Sequence, residues 1–130
     1  MAFYIHTIEH SLSPSICYLP ASAMTPKAGM ALGISEGALA PVTGAAKPGY
    51  ISLCERDTAC EAGEDIPCMP ALPTVIFETV TDADLSDIKI GDKLSISDDG
   101  TTVTAATGGA AEVLYIEKTA YGTICRVRFS

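Results

Sequence analysis

Apolar and polar positions alternate most regularly in the second half of the chain. Thr74–Val80 is β-branched and aromatic, the composition of a strand. Asp82–Asp87 is an acidic connection. Lys93–Ser97 alternates apolar with polar, and Asp98-Asp99-Gly100 is a tight-turn signal because Asp-Gly tolerates the positive φ of hairpin turns. Thr101–Ala105 returns as a strand, Gly108-Gly109 turns again, and Ala111–Glu117 follows as the next strand. Tyr121-Gly122 is the last turn and Thr123–Phe129 the last strand. In that strand Cys125, Val127 and Phe129 share the face assigned to the core, while Ile124, Arg126 and Arg128 share the other. Short strands joined by glycine turns predict an antiparallel meander that closes into a small barrel or sandwich.

The first half is less regular. Gly29–Ile34 and Ala38–Val42 predict a hairpin about Ser35-Glu36-Gly37, and Tyr50–Cys54 predicts another strand. Residues 55–65 form a polar, acidic loop. Ile66–Pro73 carries three prolines, which predicts an extended but irregular segment. Phe3–Ile8 is extended, and prolines at 14, 20 and 26 exclude a long helix after residue 12. Ser11–Pro26 is uncharged and too short to build a core. It reads as an arm lying across its own body, a neighbouring subunit or another protein. The expected organisation is an extended arm over residues 1–28 and one β-barrel-like domain over 29–130. The fold class is all-β, with little or no helix.

Composition sharpens this reading. Ala, Gly, Pro, Ser and Thr make up 60 of the 130 residues, and there is no Trp. The apolar fraction of 48% is too high for a disordered chain. His occurs only twice, both in the first ten residues, so the chain is a poor candidate for an enzyme. The net charge of −8 argues against nucleic-acid binding through phosphates. That charge is localised: residues 55–99 hold 12 acids and 3 bases, and the rest of the chain is close to neutral. This stretch is expected to face solvent. No apolar run of the roughly 18 residues that span a bilayer occurs, and the N-terminus shows no secretory signal pattern.

The five cysteines are odd in number and show no C-x2-C knuckle, which favours reduced thiols over a structural zinc site. Two motif matches are better read as local structure. His6-Thr7-Ile8-Glu9-His10 fits H-x-x-E-H, but that zinc chemistry requires a buried helix, and this stretch reads as extended. Gly33-Ile34-Ser35-Glu36-Gly37 fits the nucleophile elbow G-x-S-x-G, but Pro41 excludes the helix that should follow, and both His lie upstream. Asp82, Asp84 and Asp87 suggest a calcium loop. It lacks Gly at the sixth position, and Lys93 stands at the twelfth. No catalytic residue, cofactor site or metal site is assigned.

Several glycine-centred segments resemble small head decoration (capsid cement) proteins of tailed bacteriophages. They are Tyr18-Leu19-Pro20-Ala21, Lys27–Leu32 and Gly37–Gly44 near the start, then Ile90–Ile96, Gly108–Val113 and Gly122–Val127. The resemblance spans residues 18–129. It implies a non-enzymatic virion protein, made in the bacterial host cytoplasm. Such a protein binds the outer surface of an icosahedral capsid and stabilises it, often as a homotrimer. It further implies that the arm contacts the major capsid protein or a neighbouring subunit through Phe3, Tyr4, Ile5, Ile8, Leu12, Ile16, Tyr18 and Leu19. Backbone pairing would supply affinity and alternate side chains specificity. The alternative reading is a β-barrel module that binds a glycan or small ligand; neither reading involves nucleic acid or a membrane.

Overall fold

The computed structural model describes residues 2–9 and 14–130. Its elements are β1 (Tyr4–Ile8), β2 (Cys17–Pro20), β3 (Ala31–Ser35), β4 (Ala38–Pro41), β5 (Tyr50–Ser52) and β6 (Asp65–Pro70), followed by β7 (Val75–Thr81), β8 (Lys93–Ile96), β9 (Val103–Thr107), β10 (Ala111–Thr119) and β11 (Gly122–Phe129). The chain is all-β: no α-helix occurs among the described residues. The strands form two antiparallel sheets, six-stranded in the order β1-β7-β11-β10-β8-β9 and five-stranded in the order β2-β6-β5-β3-β4.

The alternation in the sequence translates directly into two buried faces. Val75, Phe77, Thr79 and Thr81 of β7 point inward, as do Cys125, Val127 and Phe129 of β11. Facing them are Ala31, Ile51 and Met69 of the five-stranded sheet, so one core lies between the two sheets. The neighbouring residues Leu32, Ile66 and Cys68 point the other way. With Ala21, Met24, Met30, Leu39 and Cys60 they form a second core on the far side of the five-stranded sheet. Two loop segments close that side and bond to each other: Cys60 N–H donates to Met24 O and Arg56 N–H to Pro26 O.

The expected meander is only partly formed. β9 pairs with β8 on the outer edge, and β10 returns along the opposite side of β8, so the spatial order is not the chain order. Leu94 is flanked by Thr107 on one side and Ala111 on the other. The Gly108-Gly109 segment therefore crosses β8 instead of making a simple hairpin. Its passage is so close that a Cβ on Gly109 would lie 2.1 Å from Leu94 O.

Of Ile66–Pro73, expected to be extended but irregular, the first five residues join Asp65 in a regular strand inside the five-stranded sheet. Two prolines fit because of where they fall. Pro67 O accepts from Leu53 N–H just past the end of β5, so the missing proline N–H lies where its partner strand has stopped. Pro70 is the last residue of the strand.

The first 28 residues supply β1 to one sheet and β2 to the other. Of the three supports considered for the arm, the described residues lie on the protein's own body. Phe3 packs edge-on against Phe129. The chain at residues 2–3 crosses Gly29 so tightly that a Cβ there would lie 2.5 Å from Ala2 Cβ.

Candidate interaction surface

β1 and β2 each lie at the end of a sheet, and the residues expected to make outside contacts divide by facing. Tyr4 pairs with Glu78 and Ile5 with Phe77; the register then shifts before Thr7 pairs with Ile76. An irregularity of this kind bends an edge strand and re-aims its side chains. Tyr4 is 67% exposed and Ile5 47%. On β2, Tyr18 is 68% exposed, and Ile16 just ahead of it 63%. Phe3 is buried in the main core, and Ile8 packs against that core. Leu19 packs against the second core. Phe3 is thus unavailable to a partner, because its ring completes the aromatic cluster with Phe129 and Phe77. Leu12 lies outside the described residues.

The structure adds two residues to this set. Tyr18 sits directly across from Pro67, and Leu53 donates its backbone N–H to Pro67 O from the other side. Leu53 is itself exposed. Ile16, Tyr18, Pro67 and Leu53 therefore line one corner of the five-stranded sheet. Leu53 could not be singled out from the sequence because Tyr50–Cys54 reads as one continuous strand, whereas β5 ends at Ser52, one residue before it.

The outer face of the six-stranded sheet is charged. Arg126 pairs with Glu78 at 3.0 Å, its direct cross-strand partner, and its guanidinium lies 4.2 Å from the centre of the Tyr115 ring. Arg128 bonds Glu9 at 2.6 Å and lies 3.9 Å from Glu112. These half-exposed pairs tie neighbouring strands and the segment after β1 together.

The motif matches resolve into local structure. His6 lies on β1, a strand, with its Nδ1 2.7 Å from Thr7 Oγ1; Glu9 is engaged by Arg128, and His10 lies outside the described residues. Ser35 and Ala38 close the β3–β4 hairpin, with Glu36 at φ 51° and Gly37 at φ 80°. Two successive positive φ values define the hairpin turn that a right-handed strand twist favours.

An open groove of about 620 Å³ runs beside the β10–β11 turn, lined in part by Asp82, Asp84, Lys118 and Tyr121. Asp84 Oδ1 accepts from Ser86 N–H at 3.0 Å. That bond, with Lys118 nearby, holds the carboxyl below the usual aspartate range. Glu64 is likewise held low, first by its bond to Arg56. No group of three or more His, Cys, Asp or Glu among the described residues is arranged to hold a metal ion. Comparison with known proteins finds no matching family model, curated protein or solved structure.

Proposed function

We propose that this protein is a non-enzymatic structural component of a tailed-phage virion, a decoration protein docked on the outer surface of the capsid. The observation that carries the reading is the exposure of large apolar side chains on both sheet-edge strands of the N-terminal segment: Tyr4 and Ile5 on β1, Ile16 and Tyr18 at β2. Exposed aromatic and aliphatic side chains on an edge strand suit strand addition by a partner, in which backbone bonds supply affinity and side chains supply register. Because β1 already belongs to its own sheet, the partner strand would be contributed by the major capsid protein and lie outside β1. The Ile16–Tyr18–Leu53 corner would contact capsid or a neighbouring copy in a homotrimer. In this reading each body is a compact sandwich, the five-stranded sheet rolling toward a barrel where Ala21 bridges Leu39. The alternative, a glycan-binding module, rests on the groove beside the fully exposed Tyr121.

The test is co-sedimentation of the full chain with mature capsids lacking decoration protein, from the phage that encodes it. Binding is expected, and Ile16→Ser with Tyr18→Ser together should weaken it at least about tenfold. Tyr121→Ser should leave it unchanged. No binding by the wild-type chain would overturn the functional reading. Equal binding by the double variant would overturn the docking surface. A glycan-array signal lost in Tyr121→Ser would favour the alternative.

A further inference from the structure

Four of the five cysteines gather at the second core: Cys60 and Cys68 are buried in it, and Cys17 and Cys54 pack against it. The fifth, Cys125, lies in the main core between the sheets. Within the group of four, Cys17 on β2 and Cys68 on β6 are direct cross-strand partners in an antiparallel ladder. Ala21 N–H donating to Glu64 O sets the phase of this ladder and makes Cys17–Cys68 a hydrogen-bonded pair, whose residues share a face of the sheet with Cα atoms about 5.5 Å apart. That separation falls inside the roughly 4.4–6.8 Å window a disulfide accepts.

The geometry points to a redox-formed disulfide between Cys17 and Cys68 that fastens the edge strand β2 to β6. The other thiols are placed for different roles. Cys60 Sγ donates to Ser22 O at 3.2 Å, Cys54 follows the end of β5, and Cys125 lies in the other core.

The order of events follows from burial. Cys17 is partly exposed, whereas Cys68 is fully buried. Burial, and to a lesser degree the neighbouring Cys17, push the Cys68 thiol up to about 11. Cys17 is therefore the sulfur that meets an external oxidant, here a small-molecule disulfide such as oxidised glutathione. Its thiolate attacks one sulfur of that disulfide, the S–S bond breaks, and one reduced small thiol leaves. Cys68, on losing its proton, then attacks the Cys17 sulfur of the mixed disulfide. The Cys17–Cys68 bond forms and a second small thiol leaves. Two electrons pass from the protein to the oxidant, and the two thiol protons end on the departing thiolates. Only the thiolate form of Cys68 can attack, and burial keeps that fraction small, so closure should speed up as pH rises.

The full chain should be equilibrated under native conditions in oxidised glutathione, quenched in acid, alkylated in denaturant and mapped by peptide mass. The expected result is a Cys17–Cys68 linked peptide, with Cys54, Cys60 and Cys125 alkylated and the melting temperature raised by several degrees over the reduced chain. Cys125→Ser should form the same link, and Cys17→Ser should not. Alkylation of both Cys17 and Cys68 in the oxidised wild-type chain would overturn the proposal. So would a stable glutathione adduct left on Cys17, or a link between either residue and Cys54 or Cys60.

Discussion

The ring of Phe3 meets the ring of Phe129 edge-on, with centroids 5.2 Å apart and planes at 77°. Phe129 in turn packs 5.6 Å from Phe77. Residues at opposite ends of the chain thus share one aromatic cluster, and the N-terminal segment is part of what holds the body closed. Phe3→Ala should destabilise the protein by about 3–5 kcal/mol, the usual cost of emptying a buried aromatic site. Tyr4→Ala, one residue away on the solvent side, should stay within about 0.5 kcal/mol of wild type. Urea denaturation of both variants measures the contrast. Equal stabilities would show that the first strand is a detachable arm.

The same relationship bears on how contacts with a partner are tested. Removing residues 2–9 would delete Phe3 together with Tyr4 and Ile5, so lost binding could reflect an opened core. Point changes at exposed positions separate the two effects.

Gly109 lies against the backbone of β8, and a Cβ there would sit 2.1 Å from Leu94 O and 2.6 Å from Ser95 N. Both obstacles are main chain of a strand paired on both sides, so neither can swing away. Gly109→Ala should cost about 3 kcal/mol or more. Gly108→Ala meets nothing within 4 Å; its burden is the positive φ of 86°, about 1–2 kcal/mol. Melting temperatures should therefore fall in the order wild type, Gly108→Ala, Gly109→Ala. A milder effect at Gly109 would mean that the chain does not cross β8.

These two glycines show what the amino-acid order reveals and what it hides. Local chemistry was legible: the inward triad Cys125, Val127 and Phe129, the Ser35-Glu36-Gly37 turn, and every strand from Val75 onward. Adjacency in space was not. A Gly-Gly pair serves a hairpin and a strand crossing equally well, and only the pairing of Leu94 with both Thr107 and Ala111 distinguishes them. Prolines misled in a related way at 67 and 70. Their cost depends on whether a partner strand is present at that rung, which is a tertiary fact. For the exposed surface, the contact residues that the resemblance implied divide between the two faces, with Tyr4 and Tyr18 outside. Phe3 lies inside, because the aromatic cluster it completes is assembled from β7 and β11, far along the chain.

Thr81 and Thr79 sit on the inner face of β7, yet both are fully buried. Their hydroxyls reach the segment that leads into β9. Thr81 Oγ1 donates to Val103 O at 2.7 Å, and Thr79 Oγ1 lies 2.9 Å from Thr102 Oγ1. Threonine hydroxyls, and not a strand ladder, join the two sides of the six-stranded sheet here. Thr81 Oγ1 also accepts from Ala83 N–H at 3.1 Å. Thr81→Val keeps the shape but strands a buried carbonyl, at a cost of about 1–3 kcal/mol. Thr43→Val, on an exposed loop, serves as the control and should change stability by under about 0.5 kcal/mol. Chemical denaturation of the two variants decides the matter; a neutral Thr81→Val would mean that the seam is held by packing alone.

Asp99 anchors the turn between β8 and β9. Its Oδ1 accepts from Ser97 Oγ at 2.6 Å, from Thr101 Oγ1 at 2.8 Å and from Thr101 N–H at 3.1 Å. These bonds, led by that from Ser97, hold the carboxyl below its ordinary value of 3.8. A carboxyl whose folded-state value is depressed stabilises the fold fully above its unfolded value. That contribution is lost as the pH falls through the folded value. Because Asp99 is exposed, solvent screens the gain, and about 1 kcal/mol is expected. Asp99→Ala should therefore be less stable than wild type by about that amount near neutral pH. The gap should narrow as the pH drops below the ordinary aspartate range and the Asp99 carboxylate takes up its proton. Glu64 and Asp84, also held low, lose their contributions in the same acid range, but they do so in both proteins and cancel in the difference. Paired urea titrations across that range give the difference directly. A gap that persisted undiminished in acid would assign the effect of Asp99 to turn geometry, independent of its charge.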